Sequence, residues 1–476
     1  MIKVANIAKN TSYLTLALII QKVISFSYFV ILARFLGLEA LGQYYTAIAF
    51  TTIFSIFIDL GFTNALTREV AKAQERASEW LASVLAVKLW LAAGTFLVAL
   101  IVAYFVYDYN LAVLIAVSSL SMVLDSFTST FFAVARGFHN LKYESVASVI
   151  FQLIVLGGGL IVLQLGWPLP ALLGAVAFAS AFNFLFSGFI VRQRLKLSIR
   201  PRWDKERIRK VFTISWPFAL YNVFQRLYTY LDSLILGFIT GFGQVGIYQI
   251  AFKLIFALQF LPMAFTASLY PAMSAYWQSN RDQLKVTLER ALNYLIIISL
   301  PIIFGIFFLA DKIVPLFKAG EEAVWPLRIS ILALFFIFLN FPVGSLLNAC
   351  DRQQRNTANM GIVLTLSVIL NFILIPRYQA VGASITVLVS NALMLTLGII
   401  GAKGIVKYSA KKNLQVLLKA LMAAALMGLV VYWGGKYIHV FAAVILGAIT
   451  YALALFAVGG IKKADLLSIL SSFKRA

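Results

Sequence analysis

Charge is scarce in this sequence, and cysteine and histidine are almost missing. Only 12% of the 476 residues are charged and 62% are apolar, against roughly 25% and 45–50% in a soluble globular chain. A soluble core cannot absorb an excess of that size spread along the whole length, whereas a bilayer can, because it is itself an apolar solvent for helix exteriors. One cysteine, Cys350, excludes an internal disulfide. The two histidines, His139 and His439, stand far apart with no Cys or His beside either, so a Cys/His metal site is not expected. No Gly-x-x-x-x-Gly-Lys-Ser/Thr loop occurs, which argues against direct ATP hydrolysis. No cofactor is expected.

What the chain has instead is a succession of long apolar runs. Stretches able to span a bilayer, which takes about 20 apolar residues, begin near Thr11, Gly42, Ser83, Leu111, Ser145 and Leu169, then near Val211, Gln244, Glu289, Glu322, Thr357, Ala380, Leu414 and Tyr437. The sequence therefore predicts an all-α membrane protein with about fourteen transmembrane helices. The first run is too long for a signal peptide and lacks a clear small-residue cleavage site, so it reads as a retained helix. The net charge of +22 would suggest nucleic acid in a soluble protein. Here it follows position. With both termini cytoplasmic, 29 of the 40 Lys and Arg fall in cytoplasmic segments and five in outer loops, which is the positive-inside pattern. A multi-pass protein of the plasma (inner) membrane is expected, with the basic loops touching anionic lipid and no nucleic-acid partner.

The outer loops are little more than turns, which leaves no room for an outer catalytic domain. The segment at 192–210, RQRLKLSIRPRWDKERIRK, holds nine basic residues and reads as a linker at the membrane surface. It divides the chain into 1–192 (six helices), a basic cytoplasmic linker at 193–210, a second set of six at 211–402, and two further helices with a cytoplasmic tail at 403–476. Residues Asn64 to Ala82 are polar with Leu66, Val70 and Trp80 interspersed, which predicts a helix lying at the cytoplasmic interface. Sliding the chain by 204 residues sets Gln21-Lys22 on Gln225-Arg226, Gly37 on Gly241, Gly42 on Gly246, Tyr44 on Tyr248 and Ala47 on Ala251. Gly174-Ala175 falls on Gly382-Ala383 at an offset of 208. An offset of an even number of helices gives parallel repeats, and so two pseudo-symmetric six-helix lobes with two appended C-terminal helices.

The stretch Ala33 to Tyr44 (ARFLGLEALGQY), Phe57 to Phe62 (FIDLGF) and Leu370 to Ser384 (LNFILIPRYQAVGAS) resemble polysaccharide flippases of the Wzx type, in the multidrug/oligosaccharidyl-lipid/polysaccharide (MOP) superfamily. The similarity runs over nearly the whole chain. Gln379 stands where a glycine is common in that pattern. The resemblance implies alternating-access transport of a polyprenyl-pyrophosphate-linked oligosaccharide from the cytoplasmic to the outer leaflet, for surface polysaccharide synthesis, with membrane lipids and the glycan polymerase and chain-length machinery as partners. It implies a transporter and not an enzyme.

Ionisable residues inside the membrane cost about 2.5–3.5 kcal/mol each at a helix centre. Lys22 and Arg226 are equivalent in the repeat, and Lys253 lies in the eighth span. Three cations facing one cleft would attract a pyrophosphate, and Arg suits phosphate through its planar fork of donors. Asn222, Arg226, Thr229 and Ser233 recur on one helix face, with Gln225 beside them, and Gln249 shares a face with Lys253. The substrate-binding candidates are Lys22, Asn222, Gln225, Arg226 and Lys253. Asp125 and Asp232 are candidate ion-coupling residues for H+ or Na+, although Asp232 could equally neutralise Lys253. Asp59 and Lys88, at matched depth, read as a structural pair. Two alternatives to a flippase stay open: a cation-coupled drug or metabolite exporter of the same superfamily, whose site would be acidic, and a membrane glycan polymerase or ligase.

Overall fold

Two helices in this protein are far longer than a bilayer is thick. In the computed structural model, which describes residues 4–406 and 410–460, α1 (Val4–Asp59) has 56 residues and α12 (Gln353–Lys403) has 51. At about 1.5 Å per residue these run to about 84 and 77 Å, against a hydrocarbon core of about 30 Å. Each is two spans joined by one non-helical residue. In α1 the break is Gly37 (φ 73°, ψ 167°), and in α12 it is Gln379 (φ 52°, ψ −129°). Glycine reaches such angles without steric cost, and glutamine does not.

Between these lie α2 (Phe62–Lys72), α3 (Ala77–Val106), α4 (Tyr109–Gly137), α5 (Lys142–Gln164), α6 (Leu169–Phe189), α7 (Lys205–Thr240), α8 (Phe242–Leu258), α9 (Phe260–Ser279), α10 (Arg281–Ile313) and α11 (Val324–Ala349). The C-terminal pair is α13 (Ala410–Gly434) and α14 (Val440–Ala457). Among the described residues eleven helical runs are long and apolar enough to cross a membrane, α8 and α9 forming one of them. Counting α1 and α12 twice and adding the 36-residue α7 gives the fourteen spans expected. α7 falls short on hydropathy alone because Asn222, Gln225, Arg226 and Asp232 interrupt it. Lys3, Lys407 and the cations from Lys462 onward, counted in the charge argument, lie outside the described residues.

The duplication is visible in the backbone. Gly241 (φ 89°, ψ 168°) separates α7 from α8 in the same conformation as Gly37. The segments after the two breaks pack against each other symmetrically. A Cβ on Gly42 would collide with the carbonyl of Phe242, and one on Gly246 with the carbonyl of Leu38. Leu38 and Phe242 are themselves equivalent under the 204-residue shift, so each partner offers the same surface to the other. Small residues permit this backbone approach.

The chain divides into two compact units, 1–249 and 250–476. In the first, Ile58, Phe62, Leu66, Val70, Leu81, Val84 and Val134 form a buried cluster. α2 contributes through Phe62, Ala65, Leu66, Glu69 and Val70, which recur at helical spacing and leave Arg68 and Lys72 on the outer face. The interfacial helix is shorter than the sequence predicts. It stops at Lys72, and residues from Ala77 already belong to the buried start of α3.

The basic linker is an ordered strap on this cluster. Leu195, Leu197 and Ile199 pack inward, while Arg194, Lys196 and Arg200 between them are exposed. The strap is tied down where Ser198 N–H donates to Ser78 Oγ (3.3 Å), Arg202 N–H donates to the Ala82 carbonyl (3.1 Å) and Arg207 pairs with Glu79 (2.5 Å).

In the second unit α10, α11 and α13 bury Leu284, Leu288, Leu295, Leu334, Phe338 and Val431. Ala420, Ala423 and Ala424 keep one face of α13 narrow, and Gly428 receives Phe308 and Phe304.

Candidate functional site

α1 ends at Asp59 because the next two residues leave the helical region, Leu60 at φ 41° and Gly61 at φ 78°. This reversal leaves a small recess of about 10 Å³, room for one water, lined by Ile56, Asp59, Leu60 and Gly61 from the α1–α2 junction and by Ala219, Asn222 and Arg226 from α7. Arg226 and Asn222 are one helical turn apart, so both polar ends fall on the face that meets α1. The Arg226 Nη1 donates to Ser55 Oγ and to the Thr52 carbonyl (3.3 Å). Its remaining donors make no hydrogen bond among the described residues. Thr52, Ser55 and Asp59 are spaced three and four apart, which makes one polar stripe on α1 opposite the stripe on α7.

Behind the recess lies an ion pair. Lys88 on α3, with 0% of its side chain exposed, donates to Asp59 Oδ1 at 2.9 Å, to the Ser126 carbonyl at 3.0 Å and to Thr130 Oγ1 at 2.8 Å. Three ammonium protons thus meet three acceptors, which is how a charge survives full burial. Thr63 Oγ1 donates to the same Asp59 Oδ1 at 2.5 Å. The pair expected from matched depth is therefore present.

The other sequence candidates fall elsewhere. The α7 stripe is divided. Thr229 Oγ1 donates to the Gln225 carbonyl of its own helix (2.7 Å). Ser233 is buried against α8 and accepts from Gln249 Nε2 at 3.1 Å. Asp232, also buried, accepts from the Tyr248 hydroxyl and from Ser233 N–H (2.7 Å). The Gln225 side chain is exposed and outside the recess. Lys22 is half-buried on the first span of α1. Lys253 belongs to the second unit, its Nζ 5.8 Å from the Phe252 ring centroid. Asp125 on α4 faces Ser180 of α6. Among the described residues no group of three His, Cys, Asp or Glu could hold a metal ion. Sequence reasoning missed Thr52 and Ser55 as partners of Arg226. Their spacing with Asp59 marks one polar face of α1 but does not name Arg226 as its partner.

Residues 7–277 match the model of the polysaccharide biosynthesis protein family. The chain belongs to that family. Residues 217–375 also match the MatE model. The probable low-salt glycan biosynthesis flippase of Haloferax volcanii is 21% identical, over 81% of this chain and 81% of its own. The putative O-antigen transporter of Shigella flexneri is 24% identical over 80% of this chain and 94% of its own. Among solved structures, the lipid II flippase MurJ in an inward closed conformation superposes with a TM-score of 0.79 at 16% identity, covering 95% of this chain and 99% of that one. A likeness at that identity establishes the fold alone.

Proposed function

We propose that this protein is a flippase that moves a polyprenyl-diphosphate-linked oligosaccharide from the cytoplasmic to the outer leaflet. One observation carries the reading: an arginine with uncommitted donors, beside an asparagine, lines a recess in a transmembrane helix pair of a polysaccharide biosynthesis family member. The task is to carry a hydrated anion across about 30 Å of hydrocarbon while the prenyl tail stays in lipid. Once α1 and α7 part enough to admit the headgroup, Arg226 and Asn222 replace water around the diphosphate, because a guanidinium offers paired donors to phosphate oxygens. Lys22 and Lys253 are further cations along the path of the headgroup in this scheme, whereas the Gln225 side chain lies outside the recess. The relatives named for glycan flipping and O-antigen transport support the substrate class.

The two repeats, 1–192 and 211–402, rock about the cleft, with 193–210 as linker and 403–476 appended. The protein sits in the plasma (inner) membrane with cytoplasmic termini, an orientation supported by the distribution of Lys and Arg. A membrane potential, negative inside, favours outward movement of an anion by about 2.3 kcal/mol per charge per 100 mV. Asp125 or Asp232 serves as the coupling site if H+ or Na+ drives the cycle. The protein delivers its product to the glycan polymerase and chain-length machinery and catalyses no covalent step.

The test is leaflet transfer of a fluorescent polyprenyl-diphosphate oligosaccharide in liposomes. Transfer above protein-free vesicles supports the reading. No transfer beside an active control flippase, with efflux of organic cations instead, favours the cation-exporter reading that the MatE match to residues 217–375 keeps in view.

A further inference from the structure

We infer that Asp59 is a built-in competitor for the substrate phosphate, held at the recess by Lys88, and that it sets how readily the anion is released. The inference rests on reading the recess as the diphosphate site. Lys88 cannot touch a substrate itself: it is fully buried and its three donors are taken by Asp59, Ser126 and Thr130. It can act only through Asp59. The Asp59 side chain is 19% exposed and lines the recess with Arg226. Both hydrogen bonds that it accepts, from Thr63 and Lys88, fall on Oδ1, and Oδ2 takes none among the described residues. A pair needed only for packing would gain nothing by keeping its anionic member at the edge of a cavity that faces an arginine.

The formal charge of the group, two cations and one anion, is +1. A phosphate at the mouth of the recess, which must widen to admit it, meets Arg226 and also a fixed carboxylate. It is attracted by the first and repelled by the second. A carrier needs this balance, because a site must bind strongly enough to load and weakly enough to unload. Without Asp59 the anion would be held by Arg226 alone, in surroundings where charges are poorly screened. Asp59 is thus a positioning and release residue, and Lys88 holds it in place.

The decisive variant is Asp59→Asn combined with Lys88→Met, which removes both members of the buried pair and leaves neither charge stranded. Because Asp59 lies nearer the recess than Lys88, the double variant is expected to bind the diphosphate lipid several-fold more tightly than the native protein. It should transfer it more slowly at saturating substrate. Lys88→Met alone, which leaves the carboxylate with no cation behind it, is expected to weaken binding about tenfold. Adding Arg226→Ala to the double variant should abolish the tightening. Binding of inorganic diphosphate to the same proteins in detergent reads the recess independently of transport. A pair with a packing role alone would lower the melting temperature and leave affinity unchanged or reduced in every variant. That result, with native transfer intact, overturns the role of Asp59 and keeps the flippase reading. A native protein that binds neither the lipid nor inorganic diphosphate overturns both.

Discussion

Replacing Gly42 by alanine tests the symmetric contact between the two repeats at a single atom. The added methyl group points at the carbonyl of Phe242 and the amide of Gly246. Both are helix backbone, so neither can step aside as a side-chain tip would. The second half of α1 and α8 must separate, or the turns at Gly37 and Gly241 must deform. Overpacking of this kind costs about 1–3 kcal/mol, and at roughly 2–4 °C per kcal/mol for a unit of this size the melting temperature should fall by about 2–12 °C. Gly157→Ala on α5 is the matched control, since nothing lies within 4 Å of a Cβ there. That change should be neutral or stabilising by up to about 1 kcal/mol, through helix propensity alone. Fluorescence-detected unfolding of the two purified variants in detergent gives the comparison. Gly246→Ala, aimed at the Leu38 carbonyl, should reproduce the loss. If Gly42→Ala and Gly246→Ala both melt with the native protein, the close packing of the two turns is refuted.

Two further outcomes follow from local geometry. Gln379 holds angles suited to glycine, at a cost on the order of 1–3 kcal/mol. Gln379→Gly should therefore raise the melting temperature by a few degrees, and a fall would mean that the Gln379 side chain does something the backbone argument omits. Cys350, in the turn after α11, is buried, and burial pushes its thiol up to about 11. Maleimide labelling of the folded protein should be slow at pH 8, rise about tenfold per pH unit as the thiolate fraction grows, and become fast on denaturation. Prompt labelling at pH 8 without denaturant would contradict it.

How much of this was readable beforehand depends on how local each feature is. The spans were legible because an apolar run of about 20 residues has few alternatives in lipid. The duplication was legible because Gly37 and Gly241 must adopt backbone angles that few other residues tolerate, so the sequence keeps glycine at both. Gln379 shows the limit of that signal: the angle persists at a position where the residue type no longer announces it. The buried pair of Asp59 and Lys88 could be matched by depth, since an unpaired charge inside a membrane is costly. The partners of Arg226 were not found. Thr52 and Ser55 lie 174 and 171 residues away, and nothing in a polar residue on a helix says which neighbour it will meet. The division of the α7 stripe was hidden for the same reason. Asn222 and Arg226 reach the recess, whereas Ser233 turns to α8, because the α1–α2 junction occupies only one level of that face.

The most direct test of the central claim compares native protein with Arg226→Ala and Arg226→Lys in liposomes carrying a fluorescent polyprenyl-diphosphate oligosaccharide. The account predicts transfer by the native chain, loss of most of it in the alanine variant, and partial recovery in the lysine variant, which keeps the charge but not the paired donors. Unchanged transfer in Arg226→Ala, with folding confirmed by its melting temperature, would contradict the recess as the place where the phosphate is held.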